Sequence, residues 1–223
     1  MIYEPVMDPE EIEQLLMDAL QYRASGMYQN AIANYQQIIS GDGTIIQALV
    51  ELRETYTDML AAGVDQTNQW RSYLQTLQTH YNPPMARTAT IMLAHEYAKA
   101  DMLNEAFEKY QHALTLGLDT ETRISLLLSK MMLEGFELGS EGDAEETYLN
   151  MKQQFPNDER TQLAQFELEL INGAYSSVEF GKVSEFKVAM RELPNFPKAD
   201  QKLNSIPEEY RIEQNYPNPF NPS

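Results

Sequence analysis

The sequence predicts an all-α fold, in which a row of helical hairpins is followed by an extended, Pro-rich tail. Apolar residues recur at spacings of three and four from residue 8 to residue 171, which is the period of a helix face. An Ala-x-x-x-Tyr pair occurs as Ala31 with Tyr35, Ala106 with Tyr110, and Ala144 with Tyr148. From residue 193 onward, prolines accumulate and the apolar period fades.

The repeated Ala-x-x-x-Tyr pair is interpreted as a packing feature. Residues four apart share one face of a helix, so the small Ala admits a neighbouring helix and the Tyr fills the space beside it. The pairs at Ala106 and Ala144 are 38 residues apart, which indicates a repeated structural unit.

The first helix pair begins at Asp8, a favourable N-cap that is followed by Pro9, and it breaks at Gly26. Its apolar residues are Leu15, Leu16, Ala19, Leu20 and Tyr22 in the first helix, and Tyr28, Ala31, Tyr35 and Ile38 in the second. Tyr22, Gly26, Tyr28, Ala31 and Tyr35 together resemble the tetratricopeptide repeat, whose consensus has Tyr, Gly, an aromatic residue, Ala and an aromatic residue at these offsets. The resemblance implies an α-solenoid.

A divergent helix pair is predicted next, over residues 44–62 and 66–81. Its apolar residues are Ile45, Leu49, Leu52, Tyr56, Met59 and Leu60, then Trp70, Tyr73, Leu74 and Leu77. Asn82, Pro83 and Pro84 end the second helix, because a proline has no backbone donor and holds the residue before it extended.

Two more pairs follow. One repeats the tetratricopeptide offsets with Leu93, Ala94, Tyr97, Leu103, Ala106, Tyr110, Ala113 and Leu114. Asp101 stands at its turn, where the consensus has Gly, so a less tight turn is expected there. The other pair is degenerate: Gly139 marks the turn, Ala144, Tyr148 and Met151 mark the second helix before Pro156, and Met131, Met132 and Gly135 replace the usual first-helix pattern.

A last amphipathic stretch over 161–171 presents Leu163, Phe166 and Leu170. After Gly173, a Ser-rich break precedes Val183, Phe186 and Met190, which fit either a final helix pair or a cap. Pro194, Pro197 and Pro207 then indicate an extended linker. We therefore divide the chain into a helical-repeat domain over 1–192, a linker over 193–213 and a C-terminal segment over 214–223.

The C-terminal segment contains Asn215, Tyr216, Pro217, Asn218, Pro219, Phe220, Asn221 and Pro222. This string resembles the start of the C-terminal sorting domain of the type IX secretion system, with which bacteria export surface and secreted proteins. The resemblance implies that the type IX machinery is a partner and that the protein is secreted or lies on the cell surface. The family's sorting domain continues as a β-sandwich, and residues 1–5 do not resemble an export signal, so the sequence is expected to be part of a longer protein.

The composition of the chain limits the kinds of partner that it can bind. The net charge is -18 and the pI is near 4.4, so nucleic acid and anionic membrane surfaces are expected to be repelled. No apolar run reaches the length of a membrane-spanning helix, and no membrane span is predicted. The absence of Cys excludes a disulfide framework and thiolate metal sites within this sequence.

The sequence offers no pattern typical of catalysis. His80, His95 and His112 lack the spacing of paired metal ligands on a helix. Acidic clusters at residues 8–11 and 141–146 fit helix starts, where the helix dipole favours negative charge. We predict no catalytic residue, metal or cofactor. The family's capture of acidic C-terminal peptides is not carried over, because Leu16, Leu20 and His95 occupy the comparable positions and the net charge opposes an acidic ligand.

Stacked helix pairs curve into an array with a concave surface, which usually binds extended peptides or partner helices. The sequence therefore predicts a non-catalytic protein-interaction or spacer segment of an exported protein, with a protein or peptide partner on the concave surface. Two alternatives remain open. One is an accessory helical region of a secreted enzyme whose catalytic domain lies outside this sequence. The other is a cytoplasmic tetratricopeptide adaptor whose tail only resembles the sorting signal.

Overall fold

The computed structural model describes residues 7–81 and 83–172, and all regular structure in these residues is helical. Their helices are α1 Pro9–Ala24, α2 Tyr28–Gly41, α3 Ile46–Ala61, α4 Thr67–His80, α5 Pro83–Lys99, α6 Leu103–Thr115, α7 Thr120–Met132, α8 Glu141–Gln154 and α9 Glu159–Ile171. A π-helix over Leu133–Glu137 continues α7. The predicted apolar positions at 183, 186 and 190, the domain boundary near residue 193 and the linker lie outside the described residues.

The helices form consecutive antiparallel pairs, so the predicted α-solenoid of tetratricopeptide-like pairs is confirmed. Each second helix (α2, α4, α6 and α8) packs against its own first helix and against the first helix of the next pair. The backbones of first helices approach each other at α3 with α5 and at α7 with α9, whereas no two second helices pack as closely in the described part of the chain. The first helices therefore line the inner side of the array, and the second helices form its outer side.

The turns within the pairs follow one register. Positive φ angles of 72°, 83°, 56° and 65° occur at Gly26, Gly63, Asp101 and Gly139, at intervals of 37, 38 and 38 residues. At each of these positions the chain leaves the first helix through a left-handed residue, which is a common helix C-terminus. The divergent second pair thus belongs to the same repeat as its neighbours.

The expectation of a less tight turn at Asp101 is wrong. The amide of Met102 donates to the carbonyl of Tyr97 at 3.0 Å, as the amide of Met27 donates to the carbonyl of Tyr22 at 2.8 Å. Asp is among the few residues with a side chain that enter the left-handed region readily, so it replaces Gly here without opening the turn.

The divergence of the second pair has a local cause. After Gly63, α4 begins four residues later, whereas α2 begins two residues after Gly26. The inserted turn is held by Asp65, whose carboxylate accepts from the amide of Thr67 at 2.9 Å. With this shift of two residues, the buried Trp70, Leu74 and Leu77 occupy the places of Ala31, Tyr35 and Ile38. A Trp in place of the small Ala keeps α3 and α4 farther apart than α1 and α2.

The apolar core divides between α6 and α7. One cluster of buried side chains extends over α1–α6 and includes Leu126 and Leu133, while a second joins α7, α8 and α9. Leu114 of α6 packs against both clusters. The backbones of α6 and α7 also approach less closely than those of α2 and α3 or of α4 and α5.

The prediction that Leu163 and Phe166 lie on the buried face of α9 is wrong. Leu163 and Phe166 are exposed, and α9 instead buries Thr161, Ala164 and Leu168. The physical reason is close packing: a Cβ added to Gly135 would lie 2.6 Å from Cγ1 of Ile171, so the side chain of Ile171 packs directly on the bare backbone of the π-helix. This contact decides which face α9 turns toward the array.

Candidate functional site

The residues that the sequence singles out as packing positions lie inside the array. Ala31, Ala106 and Ala144 have no exposed surface, and Tyr35, Tyr110 and Tyr148 are buried. They belong to separate helix pairs, so the structure does not bring them together in one site. The sorting-signal residues 215–222 lie outside the described residues.

A cleft of about 350 Å³ lies between α6, α7 and α8. We call it the α6–α8 cleft. Its lining residues are Phe107, Gln111 and Leu114 of α6, Arg123, Leu127 and Lys130 of α7, Glu134 of the π-helix, and Asp143, Glu146, Thr147 and Asn150 of α8. Since α6 and α8 are second helices, the cleft opens on the outer side of the array, whereas the sequence predicts a partner on the inner, concave side.

One wall of the cleft is fixed by a buried ion pair. The ammonium group of Lys130 donates to the carboxylate of Glu134 one helical turn later, and the side chain of Glu134 is only 2% exposed. Thr147 joins α8 to this pair: its hydroxyl accepts from Nζ of Lys130 at 2.8 Å and donates to Oε2 of Glu134 at 2.7 Å. Because each group satisfies the others, the pair is held in one geometry.

The same ammonium group also contacts the apolar floor. Nζ of Lys130 lies 5.3 Å from the centre of the Phe107 ring, a cation-π distance. Leu114 and Leu127 complete this floor. The cleft therefore combines apolar surface with polar groups whose positions are set by the protein itself, which is typical of ligand-binding clefts.

The opposite end of the cleft carries Arg123. Its guanidinium donates to the backbone carbonyl of Leu114 at 3.2 Å. Among the described residues Arg123 forms no ion pair, whereas Arg23, Arg53 and Arg160 each pair with a carboxylate. Arg123 is thus a half-buried cation to which the described residues supply no counter-ion, although the chain as a whole is strongly acidic.

A second polar arrangement lies in the core rather than in the cleft. Burial lowers the pKa of His95 to about 3, and the positive charges of Arg53 and Lys99 act in the same direction. Burial also raises the pKa of Tyr110, whose hydroxyl lies 3.0 Å from Nδ1 of His95. His95 is therefore a neutral core residue that joins α5 to α6.

In the part of the chain that the structure describes, no group of three or more His, Asp or Glu side chains is placed to hold a metal ion. None of the helices in residues 7–81 and 83–172 combines the length and the apolar character needed to cross a membrane.

Sequence reasoning missed the cleft because its residues come from three helices and follow no motif. The only local signal is the spacing of four between Lys130 and Glu134, which is ordinary for a surface ion pair. The unpaired state of Arg123 becomes visible only when α6 and α7 are placed side by side.

Comparison with known proteins leaves the family open. Neither a protein-family model nor a curated protein sequence matches the chain. Among solved structures, the chain is similar to the crystal structure of MamA protein, with a TM-score of 0.48 and 16% sequence identity over 85% of this chain and 100% of that chain. The fold assignment accordingly depends on the helix pairs and the left-handed turns of this chain.

Proposed function

We propose that this chain is a non-catalytic protein-binding segment, and that the α6–α8 cleft is where it holds a partner. The observation that carries the proposal is the cleft itself, a concave site with an apolar floor whose Lys130 and Glu134 are fixed by mutual contacts. Side chains that are already ordered lose little conformational entropy when a ligand binds. A solenoid supports such a site because each helix pair is held by its neighbours.

Site-specific photo-crosslinking in the native host tests this proposal. A photo-reactive amino acid at Gln111, which lines the cleft, is expected to give a discrete crosslinked protein. The same group at Glu145, an exposed residue of α8 that does not line the cleft, is the matched control. Equal crosslinking from both positions, or none from Gln111, would contradict binding at the cleft.

We further propose that the segment belongs to an exported protein that is sorted by the type IX system. The support is the sequence from Asn215 to Pro222 and its resemblance to the family's sorting domain. Three of its residues are prolines, which fix φ and lack a backbone donor, so the sequence favours a linear signal over a helix.

Fractionation of the native host tests the export proposal. The protein is expected on the cell surface or in the medium, and Pro217→Ala combined with Phe220→Ala is expected to retain it inside the cell. Pro207→Ala, in the proposed linker, serves as the control. An unchanged distribution in the double variant, or a cytoplasmic location of the unaltered protein, would favour the adaptor alternative.

A further inference from the structure

We infer that the α6–α8 cleft takes an extended peptide segment in which an acidic and a basic residue lie about three positions apart, with an apolar residue between them. This inference rests on the proposed protein-binding function and specifies the chemistry of the partner.

Arg123 is the residue that would bind the acidic residue of the partner. Its guanidinium has one bond, to the carbonyl of Leu114, and its other N–H groups have no carboxylate partner among the described residues. A guanidinium presents two parallel donors that match the two oxygens of a carboxylate. The half-buried position of Arg123 strengthens such a pair relative to one in open solvent.

The first two turns of α8 determine where the basic residue of the partner binds. Asp143, which accepts a hydrogen bond from the Ser140 hydroxyl, and Glu146 line this end of the cleft. The nearby Lys130 does not neutralise them, because its charge is already matched by Glu134. This end is therefore acidic, while the end at Arg123 is basic.

The apolar floor of the cleft would contact the apolar residue of the partner. Phe107, Leu114 and Leu127 lie between the two charged ends. The amide side chains of Gln111 and Asn150 also line the cleft, and they offer a donor and an acceptor to a passing peptide backbone.

The separation of the charged ends sets the spacing in the peptide. Arg123 contacts the C-terminal part of α6, whereas Lys130 marks the position of the acidic end, because it contacts Thr147, the neighbour of Glu146 on α8. The seven residues from Arg123 to Lys130 advance about 10 Å along a helix. An extended chain covers about 10 Å in three residues, because each residue spans up to about 3.6 Å.

The overall charge of the chain favours such a partner over a purely acidic one. At a net charge of -18, an acidic peptide is repelled on approach, and this repulsion offsets the attraction to Arg123. A segment with one acid and one base is neutral, so the long-range repulsion vanishes and both ends of the cleft are matched. Complementary charges at fixed positions then give specificity.

Selection from a random peptide library displayed on phage, against the full 223-residue chain, tests the inference. Enriched peptides are expected to contain an acid and a base three positions apart with an apolar residue between them. Arg123→Glu makes both ends of the cleft acidic, so the enriched peptides are expected to change to two basic residues. Glu146→Lys is expected to move the enrichment toward two acids.

Two controls separate the outcomes. Glu145→Lys changes the same charge outside the cleft and is expected to leave the enrichment unchanged, and circular dichroism of each variant shows whether the helices are retained. Peptides that are enriched but insensitive to Arg123→Glu would overturn the inference while leaving protein binding elsewhere on the array. A library that yields no enriched peptide would overturn both the inference and binding at the cleft.

Discussion

The hydroxyl oxygen of Tyr110 lies 3.0 Å from Nδ1 of His95, and the two rings meet edge to face with their centres 5.4 Å apart. Tyr110 belongs to the repeated Ala-x-x-x-Tyr pairs, so a residue that the sequence marks for packing also satisfies a buried polar group. His95 and Tyr110 lie on α5 and α6 of the same pair. The contact therefore contributes hydrogen bonding as well as apolar burial to the third pair.

Acidification is expected to destabilise the array through His95. Its pKa is about 3 in the folded chain because of burial, against an ordinary value of 6.5. The unfolded chain therefore takes up a proton as the pH falls below 6.5, and the folded chain does so only near pH 3. From this group the free energy of unfolding falls by up to about 1.4 kcal/mol per pH unit across that window.

Urea denaturation between pH 4.5 and pH 7 measures this effect. His95→Gln is expected to remove the slope that His95 causes, whereas His112→Gln, at an exposed position of α6, is expected to retain it. The same pH dependence in His95→Gln and in the unaltered chain would show that His95 is not the group responsible.

Glu167 is expected to give stability the opposite dependence on pH from that of His95. It has 0% exposure and no hydrogen-bond partner among the described residues, and burial raises its pKa to about 7. The unfolded chain loses this proton near pH 4.5, so the contribution of Glu167 to stability falls as the pH rises from 4.5 toward 7. Glu167→Gln is expected to raise the urea midpoint at pH 7 but not at pH 4, and Glu145→Gln is the exposed control. An equal shift at both pH values would refute the prediction.

Lys130→Met is expected to destabilise the chain by about 3 kcal/mol or more, because it leaves the carboxylate of Glu134 buried without its cation. Adding Glu134→Gln should recover part of the loss, since the uncompensated charge is removed. Lys152→Met is the matched control: that ammonium lies 5.6 Å over the Tyr148 ring, and the residue is exposed. A cost for Lys130→Met no larger than the control's, in urea denaturation, would contradict the importance of the buried pair.

Gly135→Ala is expected to cost about 1 to 3 kcal/mol, because its Cβ would overlap Ile171 and push α9 away from the π-helix. Gly142→Ala, where the added Cβ meets nothing within 4 Å, should instead be neutral or stabilise α8 by up to about 0.5 kcal/mol, because Gly142 lies in the first turn. Thermal unfolding compares the two variants. Truncation with Ile171→Ala should reduce the cost of Gly135→Ala, and a cost that is unchanged in the double variant would place the strain elsewhere.

The repeat could be predicted where small and aromatic residues keep their offsets. Tyr22, Gly26, Ala31 and Tyr35 identify the first pair because helix period and turn chemistry act over a few residues. The second pair was predicted as a divergent helix pair, but its register with the other repeats was missed because the insertion at Asp65 shifts it by two. That insertion moves Trp70 to the place of an Ala, and a pattern search at fixed offsets cannot compensate for the shift.

Features that depend on distant neighbours could not be predicted. The buried face of α9 is selected by the contact of Ile171 with Gly135, a residue more than thirty positions earlier. The α6–α8 cleft depends in the same way on three helices, whose arrangement leaves Arg123 without an ion pair in the part of the chain that the structure describes. Local periodicity carries no information about either relationship.

The division of the apolar core between α6 and α7 has a mechanical consequence. Tension applied to the two ends of a solenoid is transmitted through every joint in series, so the array is expected to extend first between α6 and α7, where the two clusters meet at Leu114, Leu126 and Leu133. The helices α7, α8 and α9 would then separate together, because the second cluster joins them. The α6–α8 cleft spans this joint. A ligand bound there would contact both sides of the joint and would raise the force at which the array extends.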